Sequence, residues 1–154
     1  MAWNRNLQRA RRGLDEKLTT LQPVDRYRPP AKGWIRALRD SLGLSSAQLG
    51  KRLGVRSQSV DDLEKSEAAG TISLATLRRA GQAMDCTLVY ALVPNTSLDA
   101  MVQRQAESLA RAAISRVSHS MALEDQNVSA SLQQQIDDYI EDHISERDLW
   151  LRDE

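Results

Sequence analysis

Between Leu44 and Glu64 the chain reads LSSAQLGKRLGVRSQSVDDLE, and Arg56, Ser57, Gln58, Ser59, Asp61 and Asp62 make a run of hydrogen-bonding side chains in it. Their chemistry is recognition rather than bond-making. The Gln58 amide carries a donor and an acceptor side by side, which suits bidentate pairing with an adenine edge at roughly 1–3 kcal/mol of discrimination. A carboxylate such as Asp62 can accept from a cytosine amino group, whereas the same charge repels phosphates. Covalent and metal chemistry have no comparable constellation. The chain holds one Cys and two His, has no glycine-rich phosphate loop, and places His119 and His143 without Cys or carboxylate neighbours at metal-ligand spacing. Asp137, Asp138, Glu141 and Asp142 lack the glycine and alternating spacing of a calcium loop and read as a solvated face. The expectation is a protein that is not an enzyme and uses no metal or cofactor.

Two short helices must position that run. Ser45 or Ser46 can cap a first helix whose inward side carries Ala47, Leu49, Gly50 and Leu53, and Gly50 is small enough to let a second helix cross close by. Gly54, with no Cβ, can take the left-handed conformation that ends the first helix, and Val55 can plug the angle between the axes. Ser57 is the expected N-cap of the second helix, with Val60 and Leu63 inward and Glu64 closing it. Trp34, Ile35, Leu38 and Leu42 form the apolar stripe of a preceding helix. Leu74, Leu77, Ala80, Ala83 and Met84 form that of a following one, capped by Ser73.

This window resembles the helix-turn-helix of the Xre/Cro family of phage-type repressors, over roughly residues 34–93. The resemblance implies a DNA-binding domain in which Ser57, Gln58 and Asp62 read bases. Lys51 and Arg56, with Arg52 beside them, would anchor the DNA backbone.

Charge supports a double-stranded DNA partner. The chain is formally neutral, yet residues 1–56 hold 13 Lys/Arg against 4 Asp/Glu, a balance of +9, and residues 57–154 hold 8 against 17, a balance of −9. A cationic half of this kind is the footprint of a phosphate-binding surface. Composition that is 41% apolar and 27% charged belongs to a globular protein, and a single Cys without a secretory leader points to the cytoplasm and to a buried thiol at Cys86.

Cys86 opens the run CTLVYALV, closed by Pro94, which is β-branched and apolar on both alternating faces and predicts a strand over 86–94. An unpaired strand edge recruits another strand, and no second segment of the chain reads as one. Leu88, Val89, Tyr90, Ala91, Leu92 and Val93 are therefore expected to pair with their copies in a homodimer; a strand packed alone across the helices, or a buried helix, is the alternative.

Upstream, Trp3, Leu7, Ala10, Leu14, Leu18 and Leu21 recur at helical spacing in a basic stretch, ahead of a proline-bearing linker over 22–32. That helix can lie on a partner subunit, on DNA or, third, on a membrane surface, although no membrane partner is expected. Downstream, two amphipathic helices follow, one capped by Asn95 or Thr96 and one from about Ser129; beyond Arg116 the balance is 2 Lys/Arg against 10 Asp/Glu. This end offers an acidic surface to a basic partner, or simply a solvated one.

The predicted architecture is thus mostly α: a basic helix (1–21), a linker (22–32), a helix-turn-helix domain (33–85), a dimerisation strand (86–94) and an acidic helical partner-binding region (95–154). Together with the lead-in TLQPVDRYRPPAKGWIRALRDSLG and the segment DCTLVYALVPN, this order resembles the mobile mystery protein A family over nearly the whole chain. The resemblance implies a transcriptional autorepressor of a mobile-element operon, paired with a neighbouring Fic-domain protein. Inhibitors of Fic proteins carry Ser/Thr-x-x-x-Glu followed by Gly or Asn, and Ser120 and Glu124 match the spacing, with Asp125 in the sixth place. The rival expectation is a protein-binding antitoxin whose helix-turn-helix is only scaffold.

Overall fold

The computed structural model describes residues 4–118 and 129–151. Among the described residues lie α1 (Arg5–Thr19), a 3-10 turn (Val24–Tyr27), α2 (Gly33–Ser41), α3 (Ser46–Leu53), α4 (Ser57–Ala68), α5 (Leu74–Ala83), α6 (Leu98–Ser118) and α7 (Ser129–His143). The chain divides into two compact units, one formed by Pro23–Leu92 and the other by Met1–Gln22 with Val93–Glu154. No helix among the described residues is long and apolar enough to cross a membrane.

The Pro23–Leu92 unit is built on Ile35, Leu49, Val60, Ala80 and Met84, one residue from each of α2, α3, α4 and α5 and one from the turn that ends α5. Leu38, Leu53, Val55, Leu63, Ile72 and Leu77 close around them. Burial of side chains of this size stabilises by about 1.5–3 kcal/mol each, which is what holds four short helices that could not persist alone. Several residues expected inside are outside: Ala47 is exposed, and Trp34, Leu42 and Leu74 are 42%, 56% and 46% exposed. Each sits within the first or last turn of its helix or at its end, where the neighbouring helices no longer cover it.

The strand expected over 86–94 is absent: the segment leaves α5 as irregular backbone, and no strand occurs among the described residues. A strand needs a ladder partner, and the single chain supplies none. What remains is an uncovered apolar run, with Val89, Tyr90 and Leu92 exposed at 79%, 66% and 91%.

The other unit centres on Ala106 and Ala110 of α6, Ile136 and Ile140 of α7, and Ile144 and Leu149 beyond it. Alanines on α6 allow the close approach of the isoleucines of α7. Helix α6 is capped by Ser97, whose hydroxyl accepts from the Ala100 N–H (3.1 Å), and not by Asn95 or Thr96. The Asp15 carboxylate adds a second cap, accepting from the Leu98 N–H at 2.8 Å. Helix α1 is fixed to its unit by that bond, by Arg11 against Asp99 (2.8 Å) and Glu146 (2.9 Å), and by the amide of Gln22 on the Pro94 carbonyl. Its half-buried row is therefore Gln8, Arg11, Asp15 and Leu18, whereas Leu7 and Leu14 of the expected apolar stripe stay 47% exposed. Burial alone would lower the Arg11 pKa, but the hydrogen bonds to Asp99 and Glu146 outweigh it and the net shift is upward, so the guanidinium keeps its charge.

Candidate nucleic-acid interface

The turn between α3 and α4 is set by local chemistry. Ser45 and Gln48 form a reciprocal capping box: the Ser45 hydroxyl accepts from the Gln48 N–H (3.2 Å) and the Gln48 side chain accepts from the Ser45 N–H (2.8 Å). At the other end Gly54 is left-handed (φ +72°), and the Val55 N–H returns to the Gly50 carbonyl at 2.9 Å. Gly50 lies under that return, where a Cβ would come within 2.7 Å of the Val55 carbonyl oxygen. The close crossing read from Gly50 is thus an approach of the turn backbone itself.

Helix α4 then starts from Arg56, which is its N-cap in extended conformation without a side-chain bond; Ser57 is its first helical residue and not the cap. Freed from capping, Ser57 is exposed beside Gln58, and Asp62 is exposed one turn on. The Gln58 amide donates to Asp62 at 3.2 Å, an i,i+4 pair that fixes which way the amide faces. The carboxamide oxygen and the second amide hydrogen are not used by that bond. Asp61, read from the sequence as outward, is half-buried and accepts from the Ser46 hydroxyl at 2.7 Å. It ties α4 to the start of α3.

The inner side of α4 is clamped by a pair that patterning did not reveal. Arg39 of α2 and Glu64 of α4 are both buried, joined Nε to Oε1 and Nη2 to Oε2 (3.2 Å), and Arg39 also donates to the Leu44 carbonyl (2.9 Å). The hydrogen bond that Arg39 donates to Glu64 is the largest influence on the Arg39 pKa and, against burial, raises it further above an already high value. Charge leaves no helical-periodicity trace when it points inward, so the only sequence signal was Glu64 at the i+4 position from Val60. A second carboxylate, Glu67, accepts from the Trp34 and Ile35 N–H groups (2.8 and 2.9 Å) and caps α2 from α4.

Lys51, Arg52 and Arg56 are all exposed, on the last turn of α3 and just before α4. Arg52 also donates to the Ala83 carbonyl at 3.2 Å, which orients its guanidinium. The expected base-reading and backbone-anchoring groups thus come from one continuous stretch, Lys51 to Asp62, that crosses the turn. Of the strand residues, Leu88 and Val93 are half-buried and Val89, Tyr90, Ala91 and Leu92 are exposed. Beside them a half-open apolar cavity of about 260 Å³ is lined by Trp34, Leu38, Leu77, Met84, Leu88 and other side chains of the same unit. Ser120 and Glu124 lie outside the described residues. Among the described residues no three His, Cys, Asp or Glu side chains stand together as metal ligands.

No curated protein and no solved structure matches the chain. Residues 35–90 match the family model described as helix-turn-helix, and this match supports a DNA-binding regulator of the Xre type.

Proposed function

We propose that the chain is a sequence-specific repressor that binds double-stranded DNA as a homodimer, reading bases through Ser57 and Gln58. The observation that carries the reading is the exposed row Ser57, Gln58 and Asp62 on a helix whose opposite side is held by a buried ion pair. Such a row can enter a major groove while the helix stays fixed in orientation. Gln58, steadied by Asp62, keeps one donor and one acceptor for an adenine edge, and Lys51, Arg52 and Arg56 supply phosphate contacts. The hydrogen bond from Ser46 holds Asp61, one of the two carboxylates that weigh against a phosphate-facing helix, half-buried against α3.

The homodimer reading rests on the uncovered run from Val89 to Leu92 and the apolar cavity beside it, continuous with half-exposed Tyr27 and Trp34. Two copies would present two recognition helices to half-sites about one helical turn apart, roughly 34–36 Å. The resemblance to mobile mystery protein A supports repression of the chain's own operon and a Fic-domain partner bound through the region that includes Ser120 and Glu124. Purified protein titrated against its own upstream fragment and against a random duplex of equal length tests the central reading. Preference for the upstream fragment is expected; equal affinity for both duplexes would leave the helix-turn-helix as scaffold.

A further inference from the structure

Helix α1 carries a second cationic surface, in the unit that does not hold the helix-turn-helix. Arg5, Arg9 and Arg12 are exposed, and at 100° per residue they fall within an arc of about 60° on one side of the helix. Among the described residues their side chains make no hydrogen bond or ion pair, whereas Arg11 on the docking side is held by two carboxylates. Glu16 lies one turn further along the same face and is not paired with Arg12.

We propose that this arginine stripe binds the phosphate backbone of duplex DNA, as a contact separate from the recognition helix. Three properties of α1 fit that partner. Its docking contacts are polar and specific, so the helix presents a fixed charge array and not a flexible tail. The run from Arg5 to Arg12 spans about 10 Å of helix axis at 1.5 Å per residue. That equals the axial run of about three phosphates on one strand, at about 3.4 Å each. Guanidinium groups without an internal partner keep all their donors for phosphate oxygens. Directed at phosphate oxygens and not at base edges, the stripe adds affinity and salt dependence without adding sequence preference.

The inference rests on the DNA-binding reading above, and its test separates the two. The intact protein and the variant R5Q/R9Q/R12Q are titrated with the upstream duplex between 50 and 200 mM salt. Glutamine keeps helix propensity while removing three charges. Each lost phosphate contact lowers the slope of log affinity against log salt by about 0.9, so the variant should lose about 2.7 from the slope for each protomer bound. For each protomer it should then weaken about 40-fold less than the parent over that range. The preference for the upstream duplex over random duplex should be unchanged. Equal slopes in a parent that binds DNA would overturn this proposal alone; a parent that binds no duplex would overturn both readings. Vesicles of phosphatidylcholine and phosphatidylserine form a second arm, and capture that the variant loses while the DNA slope stays constant would assign the stripe to lipid and overturn the proposal. R11Q serves as the control for damage to the fold, expected to lower the thermal midpoint where the triple variant leaves it in place.

Discussion

Arg39 and Glu64 decide more about this domain than any single apolar side chain, because each is intolerable without the other. Replacing Arg39 with Met leaves the buried Glu64 carboxylate only its longer contact with Arg36 (3.6 Å) and leaves the Leu44 carbonyl without the Arg39 donor; a loss of about 3–5 kcal/mol in denaturant unfolding is expected. R39M/E64L should recover most of that loss, since a buried pair exchanged for apolar volume is often neutral. A double variant as unstable as R39M would show that the two residues do not act as a pair. Asp62 makes the opposite kind of prediction. It steadies Gln58 but also carries a charge that phosphates repel. Asp62→Ala should therefore bind random duplex more tightly while its preference for the upstream fragment falls by about 1 kcal/mol. Preference and random affinity moving together would remove the positioning role.

At the scale of elements, stability of the turn lies in caps that are readable from sequence. Ser45→Ala removes the hydroxyl half of the capping box, while the backbone N–H that donates to Gln48 stays, and should lower stability by about 1 kcal/mol in a thermal or denaturant melt; Gly54→Val should cost more because φ is +72°. Equal melts for parent and Gly54→Val would mean that the turn is not held left-handed in solution. These signals are local, which is why α3, the turn, α5 with its Ser73 cap and the start of α7 at Ser129 were legible. What was not legible depended on distant partners. The alternation of Cys86 to Val93 describes a chain ready to pair, but a ladder needs a second strand and the chain alone has none. The leucine spacing of α1 gave the helix but not its docking side, because Asp15 and Arg11 meet groups more than 80 residues away. Propensity favours Ser57 as a cap, but the extended backbone of Arg56 takes the position and frees Ser57 for the outer face.

Across the whole molecule, zero net charge conceals a cationic first third and an anionic remainder, and two compact units each with its own core. Neutrality in total would favour self-association, while the proposed DNA contacts of the cationic surfaces predict an affinity that falls steeply with salt. The exposed Tyr90 and Leu92 make the oligomeric state the natural molecular test: the parent should sediment as a dimer at micromolar concentration and Y90K/L92K as a monomer. A parent that sediments as a monomer would remove the dimer from the proposal. The reading of bases by α4 stands or falls on one comparison, the ratio of affinities for the upstream fragment and a random duplex, measured for the parent and for Gln58→Ala at one salt concentration. Loss of the bidentate contact should reduce that ratio by about 1–3 kcal/mol per half-site while random binding is unchanged. An unchanged ratio would contradict base reading through Gln58.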